Sequence, residues 1–273
     1  MNTEIIGIQS LGDKMKALEQ ANKKFVDSQG LIMMRLDGKG FSKYTKGFER
    51  PFDHEFMEDM NETAKFLCKE IQGAIVAYVQ SDEITIFIWN KDKDGAQTWF
   101  EGNVSKMESL SASMAAAKFN QLRMARATSD YGGDLRVPML SKENIMSFKL
   151  ATFDSRVWQV NSFEEVLETF IWRQRDFKIN SVSAVAQCHF SHNELESKGT
   201  TERLQMLQSK GVLWENCLPE EKYGRLISKI KVESQLKDGT VFERSTWIAE
   251  PAYIIHLEQE KFSETFLKIF EKI

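Results

Sequence analysis

An α+β fold is what this sequence predicts, and three observations predict it. Strand-like and helix-like stretches alternate in the order β-α-β-β-α-β between residues 31 and 160. Two short apolar runs, AIVAYV (74–79) and ITIFIW (84–89), flank QSDE, which is the pattern of a hairpin. Beyond residue 160 the chain turns to helical periodicity and one further pair of alternating runs. The order is the split βαβ arrangement of ferredoxin-like folds, with C-terminal helices and a β-hairpin added.

Each element has its own signal. LGDKMKALEQANKKF (11–25) carries Leu11, Met15, Leu18 and Phe25 on one helical stripe, with Lys and Glu opposite. LIMMRL (31–36) reads as a strand running into the turn-forming DGKGF. DHEFMEDMNETAKFLCKEIQG (53–73) puts Phe56, Met60, Ala64, Leu67 and Ile71 on one face, with Asp53 as N-cap and Gly73 at its end. AQTWFEGNVSKMESLSASMAAAKFNQL (96–122) is a second long helix, whose alanines suit close packing. MSFKLATFDSRVWQV (146–160) supplies the fourth strand. SFEEVLETFIWRQRDFKINSVSAVAQCHF (162–190) and TTERLQMLQSKG (200–211) follow as helices. YGRLISKIKVESQLKDGTVFERSTWIAE (223–250) reads as a hairpin turning at KDGT, and EKFSETFLKIFEKI (260–273) as a last amphipathic helix. Residues 1–160 then form one domain, and residues 161–273 pack on it as a single compact unit.

Composition narrows the function classes. Hydrophobic residues at 42% and charged residues at 28% are ordinary for a soluble globular chain. A net charge of −4 speaks against a surface coated in nonspecific positive charge, but leaves room for a local basic groove. Cys68, Cys188 and Cys217 lie far apart with no CxxC pair, so no disulfide framework or cysteine zinc site is expected, and a reducing cytoplasm fits. No signal-peptide pattern and no run of 18 apolar residues is present, so no membrane span is expected.

The chemistry concentrates in a few acids. In the predicted topology the first and third strands lie side by side, running in opposite directions. Asp37, ending the first, and Asp82, at the turn into the third, therefore meet at one sheet edge although 45 positions apart. DG alone is a turn signal, and SDE between strands is a common polar hairpin tip. Their meeting is what points to a metal site. Converging carboxylates repel unless a cation lies between them. Mg²⁺ suits one or two carboxylates, with phosphates and water completing its shell. Two such ions about 4 Å apart serve an attacking and a leaving oxygen. Gly38 leaves the backbone bare for a metal or phosphate, Lys39 adds a cation, and Arg35 faces the same side as Asp37.

These residues resemble a known family. RLDGKGFSKYTKGFERPFD and VAYVQSDEITIFI look like the two signatures of the tRNA(His) guanylyltransferase family of 3′-to-5′ polymerases. The likeness continues in FDSRVW (153–158), WRQRDFKINS (172–181) and SHNELESKGTTERLQMLQSKGVLWENCLPEEKYGRLI (191–227), so it covers roughly residues 31–230. The resemblance implies a polymerase-type palm domain and addition of nucleotides to the 5′ end of tRNA. It implies two Mg²⁺ ions on Asp37, Asp82 and the Gly38 carbonyl, with Glu83 a neighbouring acid important for catalysis. Asp37, Gly38, Lys39, Gly40, Phe41, Ser42, Ser81 and Asp82 would contact the nucleoside triphosphate, GTP or ATP. Arg50 matches a basic residue that assists 5′ activation, and Lys106 a triphosphate-binding lysine. Arg175, Lys178 and Asn180 would touch RNA, and a homotetramer is expected.

Three departures bear on the substrate. Ser42 stands where the eukaryotic enzymes have histidine, EGNVSK replaces an arginine cluster, and FKINSVS replaces HINNLYN. The pattern is closer to the bacterial, archaeal and phage relatives, which repair 5′-truncated tRNAs from a template. Repair and addition of one G to tRNA(His) both stay open. CHFSH (188–192) is short of a second ligand pair for zinc, and a solvent-facing helix end is the plainer reading. YGGDL (131–135) has the GGD of nucleotide cyclases but falls after the second helix, away from the hairpin tip. A palm-fold cyclase, or an RNA-binding palm protein without catalysis, are the alternatives.

Overall fold

The structure is a computed structural model describing residues 10–27, 29–90, 98–129, 148–235, 240–256 and 261–262. Helix α1 (Leu11–Ala21) precedes β1 (Leu31–Gly38), the short α2 (Phe41–Tyr44) and α3 (His54–Glu70). The hairpin β2 (Ala74–Gln80) and β3 (Glu83–Ile88) leads through a short 3₁₀ turn to α4 (Val104–Ser129) and β4 (Phe153–Val160). Helix α5 (Phe163–His189) is followed by α6 (His192–Leu195), α7 (Thr200–Ser209) and α8 (Pro219–Tyr223). The long strands β5 (Arg225–Gln235) and β6 (Val241–Pro251) come next, then the two-residue β7 (Ile255–His256) and β8 (Lys261–Phe262).

One sheet runs β4-β1-β3-β2-β5-β6, antiparallel at every junction. Its first four strands have the order a split βαβ unit requires. The hairpin at 223–250 then extends that sheet, because Val76–Val79 of β2 pair with Arg225–Ser228. Alternation divides the side chains between two faces. Met34, Leu36, Ile84 and Ile86 meet Met60, Ala64 and Leu67 of α3 and Phe119 of α4. Met33, Phe87 and Tyr78 meet Val166 and Phe170 of α5. Helix α5 then continues into a third cluster with Leu207 of α7 and Trp214, so its second half lies beyond the sheet.

Asp53 caps α3 as expected, its carboxylate accepting the Phe56 N–H at 2.8 Å. Four expectations need correction. The second long helix starts at Val104, not near residue 96. Phe100 and Glu101 adopt left-handed backbone, and the loop is tied instead to the entry of β1 by Val26 N–H to Gly102 O and Val104 N–H to Lys24 O. Strand β4 starts at Phe153, not near 146, because the Asn120 side chain takes both backbone groups of Ala151 and occupies the bonds a sheet neighbour would use. The expected helix at 260–273 is a strand at 261–262; its remaining residues, like YGGDL, lie outside those described. Finally, the apolar stripe of α1 faces solvent, with Leu11 74% exposed, since among the described residues no other element covers it.

Candidate active site

Asp37 is the last residue but one of β1 and stands in register between Glu83 of β3 and Asp154 of β4. Asp82 sits in the two-residue turn before β3, where Ser81 holds a φ of 43°. The Gly38 N–H donates to the Asp82 carbonyl at 3.1 Å and ties the hairpin tip to the end of β1. The two acids thus converge at one sheet edge. Burial pushes the Asp82 carboxyl up to about 6, and the charge of Asp37 adds to the rise. A carboxylate shifted this way favours a proton or a cation beside it.

Gly38 is glycine for a steric reason. A Cβ there would lie 2.3 Å from the Phe41 ring. That ring is packed against Tyr44, Phe56, Phe119 and Phe153, with centroids 4.9–5.9 Å apart. Phe41 therefore anchors the DGKGFS loop through its ring and leaves its backbone to face a nucleotide. Lys39, Gly40 and Ser42 are exposed around it, and Gly40, at φ 68°, opens α2. The first N–H groups of a helix have no acceptor within it. Exposed Arg50 stands in the connection from α2 to α3, and exposed Ser81 hydrogen-bonds the Asp82 carboxylate.

Glu83 is committed elsewhere. Its two oxygens accept from Arg173 Nε and from the Arg173 terminal nitrogen, both at 2.7 Å, and one also accepts from Gln80 Nε2 at 2.9 Å. Both residues are buried, and Arg173 reaches Asp176 at 3.0 Å. A carboxylate held this way positions the start of β3. Arg173 is a site residue that the sequence reading did not name. The signal was present: Val166, Phe170, Arg173 and Phe177 form one helical stripe, so an arginine on it had to meet a buried acid.

The RNA candidates lie on α5 past the sheet edge. Arg175 and Asn180 are exposed, Asn180 Nδ2 lies 3.4 Å from Asp176 Oδ2, and Lys178 stands 5.8 Å above the Trp214 ring. Lys106 is not brought to the acids within this chain. It sits in the first turn of α4, below Glu108, which binds Val157 N–H, and Ser111, which binds Ser155. The acids lie toward the opposite end of β4, at Asp154. His189 ends α5 and His192 opens α6, and among the described residues no group of three or more His, Cys, Asp or Glu is placed to hold a metal. The donors at the acid edge are oxygens only, from Asp37, Asp82 and the Gly38 carbonyl. That set fits a hard divalent cation whose shell is completed by phosphate and water.

A ferredoxin-like sheet that brings Asp37 of β1 and Asp82 of the β2–β3 turn to one edge, beside Gly38, suits a palm-type nucleotidyltransferase. Residues 12–161 match the family model for tRNAHis guanylyltransferase (Thg1), and the chain belongs to that family. It is similar to a bacterial tRNA(His) guanylyltransferase (Thg1)-like protein in complex with ATP, at 35% identity over 88% of this chain and 91% of that one, with a TM-score of 0.73. A bacterial Thg1-like protein in complex with GTP matches at 35% identity over the same shares, with a TM-score of 0.65. The tRNA(His) guanylyltransferase of Schizosaccharomyces pombe is 26% identical over 243 residues, covering 85% of this chain and 78% of that protein. The enzyme is thus a nucleotidyltransferase of tRNA 5′ ends, as the motifs at Asp37 and Asp82 implied.

Proposed function

We propose that this enzyme extends tRNA in the 3′-to-5′ direction, restoring 5′-truncated tRNAs against the opposing strand. The observation that carries the reaction is the pair Asp37 and Asp82 brought together by the Gly38–Asp82 hydrogen bond. The choice of repair over single G addition rests on Ser42 and FKINSVS, where the eukaryotic enzymes read otherwise, and on the 35% identity with bacterial Thg1-like proteins.

Asp37, Asp82 and the Gly38 carbonyl would hold two Mg²⁺ ions. Such ions, when bound, lower the charge repulsion of in-line phosphoryl transfer and favour the ionised form of the attacking hydroxyl. Lys39 and the backbone N–H groups of Gly40, Phe41 and Ser42 bind the triphosphate of GTP or ATP, with Ser81 at the hairpin side. Arg50 assists at the activated 5′ phosphate. The 3′ hydroxyl of the incoming nucleotide attacks the 5′ α-phosphorus, and pyrophosphate, or the activating nucleoside monophosphate, departs. Glu83, through Arg173, keeps Asp82 and the start of β3 in place. Arg175, Lys178 and Asn180 contact the RNA backbone. Lys106 binds triphosphate across an interface between copies, in keeping with a tetramer in the cytoplasm.

The test is a 5′-extension assay with Mg²⁺, four NTPs and two 5′-triphosphorylated tRNAs, one full-length tRNA(His) and one lacking its first nucleotide. Restoration of the shortened tRNA only, with the base set by the opposing strand, is expected. Addition of G to full-length tRNA(His) whatever the opposing base refutes the repair reading. Asp37→Ala and Asp82→Ala each abolish extension while the fold survives; activity in both variants refutes the site.

A further inference from the structure

Trp172 is the most conspicuous aromatic at the acid edge. It is 54% exposed, although a large apolar side chain gains by burial. Its ring nevertheless lies against two cations, both of which also reach Glu83. The Arg173 guanidinium carbon lies 4.6 Å and that of Arg35 5.7 Å from its centroid. Neither cation is loose. Arg173 is clamped by Glu83, and Arg35 Nε is buried 3.8 Å from a Glu83 oxygen with no hydrogen-bond partner of its own. Arg35 precedes Asp37 by two residues and shares its face of β1, beside Arg156 of β4. A half-exposed indole, backed by guanidinium groups, therefore stands on the face of the sheet that Arg35 and Asp37 share.

Side matters here. The DGKGFS loop turns toward α3 and α4, where Phe41 is anchored. Trp172 lies on the opposite face of the sheet, with α5. Asp37 closes the Trp172 face of β1, and the loop leaves toward the other face directly after it, at Gly38. In-line transfer brings its two reactants from opposite sides of the transferred phosphorus. With the incoming nucleotide on the loop side, the indole is left for the other reactant.

We propose that Trp172 is the stacking platform for the 5′-terminal nucleobase of the RNA, with Arg35 and Arg173 holding the ring flat toward it. Every base has a π-face, so the platform accepts any terminal nucleotide, which suits an enzyme that restores ends of varying sequence. The inference rests on the proposed 5′-end extension and adds the RNA subsite to it.

The experiment measures binding of a labelled, 5′-phosphorylated acceptor-stem hairpin by anisotropy, in EDTA and without NTP. Wild type, Trp172→Phe and Trp172→Ala are each tested with a natural and with an abasic 5′-terminal nucleotide. Trp172→Ala is expected to weaken binding of the natural hairpin about 5- to 140-fold, the range for stacking worth about 1–3 kcal/mol at about 1.4 kcal/mol per tenfold. Trp172→Phe should stay within about threefold, and the abasic hairpin should bind all three proteins alike. Equal binding of the natural hairpin by wild type and Trp172→Ala overturns the proposal. So does an equal loss with the abasic hairpin, which would place the effect in Arg35 and Arg173. In the extension assay KM for RNA should rise while KM for NTP holds; a rise for NTP alone also overturns it. Wild type that neither binds nor extends any RNA refutes the proposed function itself, a result separate from these.

Discussion

Replacing Asp82 by asparagine removes one charge from the acid pair and keeps the side chain's shape. Burial, aided by Asp37, raises the Asp82 carboxyl from 3.8 to about 6. The folded protein thus binds that proton more tightly than the unfolded chain does, and ionised Asp82 opposes folding. Below about pH 4 the group is protonated in both states and costs nothing; as pH rises through about 6 the full penalty develops. Two pH units at about 1.4 kcal/mol each give about 3 kcal/mol. Asp82→Asn should therefore exceed wild type in stability by up to about 3 kcal/mol at pH 7 without divalent metal, and match it at pH 4. With about 2–4 °C per kcal/mol for a chain of this size, the midpoint should rise by roughly 6–12 °C. Thermal unfolding in EDTA at pH 4, 5, 6 and 7 reads this directly. Adding Mg²⁺ should then raise the wild-type midpoint, since a ligand of the native state alone stabilises it, and leave the variant where it was. A variant less stable than wild type at pH 7, or a gap that ignores pH, would refute the reasoning.

Three further outcomes follow from the same contacts. Glu83→Gln leaves buried Arg173 with only the more exposed Asp176 as countercharge and should cost about 3–5 kcal/mol in urea unfolding, part of it recovered by adding Arg173→Met; a cost below about 1 kcal/mol would mean that water or Asp176 compensates the lost pair. Gly38→Ala drives a Cβ into the Phe41 ring and should cost about 1–3 kcal/mol, and combining it with Phe41→Leu should cost less than the sum of the two singles. Thiol labelling at pH 8 should modify exposed Cys188 first and half-buried Cys217 more slowly. Cys68, whose thiol burial pushes up strongly, should react only on unfolding, as counted by mass spectrometry.

What the sequence by itself determined is local and topological. Periodicity and turn residues lie within contiguous stretches, so the order of elements, the Asp53 cap and the QSDE hairpin were legible without coordinates. The meeting of Asp37 and Asp82 followed from strand order alone, because the split βαβ unit always sets its first and third strands side by side. Tertiary structure decided what depends on which face meets which neighbour. The stripe on α5 showed that Arg173 points inward, yet only packing paired it with Glu83, 90 residues away. Phe41 stood in a loop that looked open to a nucleotide, and four packed rings drew its side chain into the core. A helix was expected around Lys106, but it starts only at Val104, and its height against the sheet is set by Ser111 and Glu108 gripping β4 and by Asn120 holding Ala151 before it. Periodicity assigns a side chain its direction; its partner depends on contacts between segments far apart in sequence, formed when desolvated charges and apolar faces pair in three dimensions.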